Sequence, residues 1–130
     1  MTKQIVAALL AFALGANALA MLFAGPWWYG VVPGVTTTGP FNPHFVKDIG
    51  AAYLVVAAGL AWRAARPAAG QAAAVAAFAF LGLHALIHLF DAAGDGQAGA
   101  DLSRDFVGVF PPMILAAWIA WPSRAGPGQG

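Results

Sequence analysis

The sequence predicts an all-α membrane protein, an antiparallel bundle of four transmembrane helices with both termini on the cytoplasmic side. Three observations carry this expectation. Of the 130 residues, 61% are hydrophobic and 8% charged, against roughly 25% charged in ordinary globular chains. The apolar residues gather into four runs, at about residues 4–24, 44–63, 71–91 and 105–121. Each run is close to the ~20 residues a helix needs to cross ~30 Å of hydrocarbon. The basic residues Lys3, Arg63, Arg66 and Arg124 then share one side of the path, which the positive-inside rule assigns to the cytoplasm. A soluble chain this short has too little interior to hide so much apolar surface, whereas lipid solvates it directly.

The first run is apolar except for Asn17, and Gly25-Pro26 stops it. Trp27, Trp28 and Tyr29 follow at once, as an interfacial aromatic belt does. Lys3, the apolar run and Ala18-Leu19-Ala20 also have the pattern of a signal peptide cleaved after Ala20. Continuation of the run through Met21-Leu22-Phe23 to the Trp pair favours a span. Residues 30–43 are rich in Gly, Pro and Thr and read as a loop, with Asn42-Pro43 as the entry signal of the second helix. Arg63, Arg66, Pro67 and Gly70 mark a short turn. Residues 92–104 read as a polar loop, and Pro111-Pro112 as an interruption of the fourth helix. Asp105 reads as a residue at the start of that helix, favoured there by the helix dipole. Residues 1–122 form one transmembrane domain on this reading, and the tail 123–130 is expected to be disordered.

Composition also excludes functions. No cysteine is present, which removes disulfides, thiolate metal sites, iron–sulfur clusters and a Cys nucleophile. The formal net charge of +1, without a basic stripe, argues against nucleic acid as a partner. The partners to expect are the lipid bilayer, a small lipophilic ligand, and a second copy or larger membrane complex.

Polar residues inside a span are costly in lipid, so each is a functional-site candidate. His44 and Asp48 are spaced i, i+4, as are His84 and His88, with Asp91 three residues on. At 1.5 Å per residue, Asp48 lies ~6 Å below the outer start of the second helix, and His84 ~10 Å below the outer end of the third. Asn17 falls at similar depth. If the helix faces meet, Asp48, His84, His88, His44, Asp91 and Asn17 converge in the outer leaflet. Imidazole and carboxylate ligate Zn, Cu, Fe or Mn, and an i, i+4 His pair on a helix is a familiar way to present two ligands. Asp48, His84 and His88 are therefore candidate metal ligands and catalytic groups, with Asn17, His44 and Asp91 as candidate cofactor contacts. The leading expectation is a metal-binding redox or hydrolytic site. Two alternatives stay open: a metal-free pocket for a quinone or other lipophilic molecule with His/Asp proton transfer, and an accessory subunit whose polar residues only hold helices together.

Four short spans in about 130 residues make the chain resemble the DoxX-like group of small bacterial membrane proteins. The stretch Phe41-Asn42-Pro43-His44-Phe45-Val46-Lys47-Asp48-Ile49-Gly50 has the look of a family signature. The resemblance is one of size and topology, and it assigns no residue roles. It implies a bacterial inner-membrane location and, for some members, a tie to quinone or thiol redox systems.

Overall fold

The computed structural model describes residues 1–94 and 98–122. Asp95 and the tail 123–130 lie outside the described residues, as do the side chains of Ala98 and Asp101. The chain is all-helical: α1 (Thr2–Phe23), α2 (Gly25–Val31), a 3-10 turn (Val35–Thr37), α3 (Pro43–Ala65), α4 (Gln71–Gly94) and α5 (Ala98–Ala120). Four of these, α1, α3, α4 and the Leu102–Ala120 part of α5, are long and apolar enough to cross a membrane.

Local chemistry explains most boundaries. The Asn42 side chain accepts hydrogen bonds from the His44 and Phe45 amides, both at 3.1 Å, and Pro43 occupies the first helical position, where a missing N–H costs nothing. α3 ends at Ala65 because Arg66 precedes Pro67 and is pushed away from helical geometry. The aromatic belt is itself the short helix α2, with Pro26 in its first turn.

Two segments differ from the sequence reading. The expected loop 92–104 is largely helix, because α4 runs on to Gly94 and α5 begins at Ala98. Gly94 and Gly99 look like punctuation, yet a helix end at a membrane surface continues until water or loop chemistry competes for its amides. Pro111 and Pro112 sit inside α5 without ending it, since prolines are tolerated in a membrane helix where neighbours and local adjustment satisfy the released carbonyls. Asp105 is consequently two turns inside α5 rather than at its start.

Packing follows the helical repeat. α1 buries Ala7, Leu10, Ala11, Leu14, Ala18 and Met21. α3 buries Val46, Gly50, Tyr53, Val56, Ala57, Leu60 and Arg63. The two helices come close at Gly50, where an added Cβ would stand 2.9 Å from the Met21 Cβ and 3.3 Å from the Ala18 carbonyl oxygen. Large apolar side chains such as Phe12, Val55, Leu83, Ile87 and Val107 cover the outer surface as well, so the helices are apolar all round, as membrane spans are.

Both ends are tied. At one end Gln4 donates to the Ala64 carbonyl (3.1 Å), Lys3 to that of Trp121 (2.6 Å) and Gln71 to that of Ala120 (2.6 Å). The start of α1 therefore meets the ends of α3 and α5, and the start of α4 meets the end of α5. The opposite end holds the starts of α3 and α5, the end of α4, and four of the five acidic residues in described positions.

Gly50→Ala should force α1 and α3 apart and lower stability by about 1–3 kcal/mol, the usual range for overpacking. Gly108→Ala, with nothing within 4 Å of the added carbon, should be neutral or slightly stabilising. Thermal unfolding of the two variants in detergent checks the contrast, and equal behaviour would contradict the close approach.

Candidate functional site at the aspartate-rich end

α4 presents His84 and His88 one turn apart. Their rings meet edge to face, with centroids 4.8 Å apart. His84 lies against Tyr53 of α3 at 5.8 Å and stacks parallel to Phe80 at 6.3 Å. Tyr53 also packs edge-on against Phe80. His88 Nδ1 stands 2.8 Å from Asp105 Oδ2 across the α4–α5 interface. A carboxylate has no proton to give, so Nδ1–H donates and the His88 Nε2 is left as the basic nitrogen. The pair is well shielded, with 28% of the His88 side chain and 11% of the Asp105 side chain exposed. Arg104 completes the group: its Nε donates to Asp105 Oδ1 at 2.8 Å. Its terminal nitrogen also donates to Asp105 Oδ2 at 3.3 Å, so that oxygen accepts from both the imidazole and the guanidinium.

The loop before α3 reaches this group. Gly34 adopts φ +83, and a Cβ there would fall 2.5 Å from the Arg104 Nε. Both facts call for glycine: the left-handed conformation carries little cost without a Cβ, and the guanidinium leaves no room for one.

The residues expected to converge are divided between three places. His84 and His88 come together. His44 and Asp48 pair with each other at 3.3 Å on the outside of α3, 88% and 61% exposed. At about 100° per residue they lie some 160–200° round the helix from the buried Val46–Gly50–Tyr53 stripe, so α3 offers Tyr53, not Asp48, to His84. Asn17 accepts the Trp28 indole N–H at 2.8 Å, and its amide reaches the Met21 sulfur at 3.6 Å. It fastens α2 onto α1. Asp91 is exposed near the end of α4. Among the described residues, no group of three or more His, Cys, Asp or Glu side chains is placed to hold a metal ion.

Asp105, Arg104 and Tyr53 are the members that sequence reasoning passed over. Arg104 reads as a loop residue and Asp105 as the first residue of the fourth helix because the Gly-rich stretch before them hides the start of α5. Tyr53 was readable from phase, since it shares the apolar stripe of Val46, Gly50 and Leu60.

His84 differs from its neighbour in one respect. It has ring contacts but no hydrogen bond to any described residue, and its nitrogens are not sealed from the surface. The group therefore runs from the Arg104–Asp105 ion pair, open to the surface at Arg104, through an oriented imidazole, His88, to an imidazole with vacant hydrogen-bonding capacity. No protein-family model matches the chain, and no curated protein or solved structure does.

Asp105→Asn should alter the His88 imidazole, because the amide no longer selects the tautomer with hydrogen on Nδ1. Histidine side-chain 15N NMR should show the change, together with a stability loss of about 1–2 kcal/mol for a charge-assisted bond. Asp48→Asn should leave His88 unchanged and cost under about 1 kcal/mol, the usual worth of an exposed pair. A His88 spectrum that responds to Asp48 and not to Asp105 would contradict the site.

Proposed function

We propose that the chain is a multi-pass protein of a bacterial inner membrane, an antiparallel bundle with both termini in the cytoplasm. Its His84–His88–Asp105 group exchanges protons with a small lipophilic ligand such as a quinone at the outer face. The observation that carries this reading is the pairing of an oriented imidazole with an open one inside an otherwise apolar bundle. Asp105 fixes His88 and stabilises the imidazolium that forms when Nε2 takes a proton, the role a carboxylate plays behind a catalytic histidine. His84 supplies the hydrogen bond to a ligand hydroxyl or carbonyl, and Phe80 and Tyr53 supply apolar walls. The DoxX-like resemblance, with its quinone-linked members, points the same way.

One observation favours a second reading with a transition metal. An i, i+4 His pair whose one ring is backed by a carboxylate is the arrangement that metal-bound histidines use, with the outer carboxylate orienting the ligand. Zn, Cu, Fe or Mn would then take His84 and His88 as ligands, with the rest of its coordination supplied from outside this pair. His44, Asp48, Asp91 and Asn17 have no part in either reading. An accessory subunit held together by the same polar contacts is the reading left if neither ligand binds.

Titration with a short-chain quinone, followed by quenching of tryptophan fluorescence, should give saturable binding. His84→Ala should weaken it about tenfold, the worth of one well-placed hydrogen bond to a ligand, while the bundle stays folded, because one interhelical hydrogen bond in lipid averages only about 0.6 kcal/mol. Stoichiometric metal in the purified protein that is lost in His84→Ala would select the metal reading. Undisturbed wild-type behaviour of His84→Ala and Asp105→Asn, with no ligand of either kind, would leave only the accessory role. A reporter active only in the cytoplasm, fused after Gly130, should be active; its silence would refute the orientation.

A further inference from the structure

The other end of the molecule holds a buried charge that no described side chain pairs. Arg63 is 6% exposed and is the one buried charged side chain among the described residues. It continues the interior stripe of α3 after Val56 and Leu60, so it faces the bundle and not the lipid. The turn into α4 closes over it: a Cβ on Gly70 would come within 2.5 Å of the Arg63 Cα. Its Nε is buried and has no partner, and no hydrogen bond or ion pair to a described residue uses its guanidinium.

Neighbouring groups do not supply the missing charge. Gln4, Lys3 and Gln71 already donate to the Ala64, Trp121 and Ala120 carbonyls. The described acidic side chains, Asp48, Asp91 and Asp105, lie at the opposite end of the bundle, near the starts of α3 and α5 and the end of α4. A guanidinium does not escape by losing its proton. The Nε is buried without a partner, which is unfavourable, and a counter-charge for the guanidinium is available only from outside the described side chains.

The setting indicates what that is. Trp62, Trp118 and Trp121 are exposed around this end, and tryptophan gathers at the level of lipid headgroups. Lys3 sits over the Trp118 ring at 5.4 Å, adding positive potential. Guanidinium prefers phosphate, whose oxygens match its fork of donors. We propose that Arg63 is the centre of a phosphate-binding site at the basic end of the bundle, taking the phosphodiester of an anionic phospholipid or a free phosphate.

The test uses the full chain in dodecyl maltoside micelles, which contain no phosphate. Phosphatidylglycerol should raise the melting temperature, and digalactosyldiacylglycerol, of similar size but without phosphate, should not. Inorganic phosphate that reproduces the gain by itself identifies the free ion as the ligand; a gain restricted to phosphatidylglycerol identifies the lipid. Arg63→Met should abolish the gain and bind phosphatidylglycerol at least about tenfold more weakly by native mass spectrometry, the loss expected for one charge-assisted contact. In maltoside alone the same variant should melt no lower than wild type, because it removes an uncompensated charge. Arg66→Gln, which changes an exposed charge, should keep the gain. Equal stabilisation by the galactolipid, a gain that survives Arg63→Met, or an equal drop for Arg63→Met with and without phosphate would overturn the proposal. If Arg63→Met does not fold, the wild-type comparison of the two lipids and Arg63→Lys, which should keep part of the gain, still decide it.

Discussion

Hydrocarbon offers no hydrogen bonds, so a polar group carried into a membrane helix has to find its partner inside the protein. That constraint accounts for most of the specific contacts in this fold. Asn17 holds the Trp28 indole, Gln4 and Gln71 reach across to the terminal carbonyls of neighbouring helices, and His88 meets Asp105. Each of these joins two helices whose apolar surfaces alone would slide, because lipid tails are as good a neighbour for leucine as another leucine is. Small residues set how closely the backbones come, as at Gly50 against Ala18 and Met21, and the polar pairs set the register.

Against that rule two side chains stand out. His84 has aromatic neighbours and open nitrogens, and Arg63 is buried without a partner. One lies at the aspartate-rich end and one at the basic end, so each has the chemistry of its own membrane face. The His84 imidazole packs against His88, whose Nδ1 meets the Asp105 carboxylate. The guanidinium lies at the end of the bundle that carries the exposed Trp62, Trp118 and Trp121. The same physical argument, that an unsatisfied polar group in lipid asks for a ligand, supports both proposals, although they rest on different residues and fail independently.

The number and type of helices were legible because they depend on runs of apolar residues and on proline and asparagine at the boundaries. Asn42-Pro43 and Arg66-Pro67 fixed the ends of α3 as the residue types suggest. What composition hid was the start of α5: Gly94, Asp95, Gly99 and Asp101 have loop chemistry, yet α4 runs to Gly94 and α5 begins at Ala98. Misplacing that start removed Asp105 from consideration. The site was half legible. The i, i+4 spacing places His84 and His88 side by side, as their ring contact shows, but spacing within one helix does not say which face turns inward. For α3 the answer was present in the Val46–Gly50–Tyr53 stripe, which puts His44 and Asp48 on the far side. Arg63 read only as one of the charges that orient the chain, because burial of a residue at a helix end depends on how the following turn folds back.

The central claim is that α4 and α5 meet through His88 and Asp105 while Asp48 faces away, and cross-linking tests it most directly. The chain has no cysteine, so pairs introduced for this purpose have no background. In native membranes, His88→Cys with Asp105→Cys should be joined within one chain by a short bismaleimide, and His88→Cys with Asp48→Cys should not. Efficient linkage of the second pair and none of the first would contradict the arrangement on which the proton-exchange site is built.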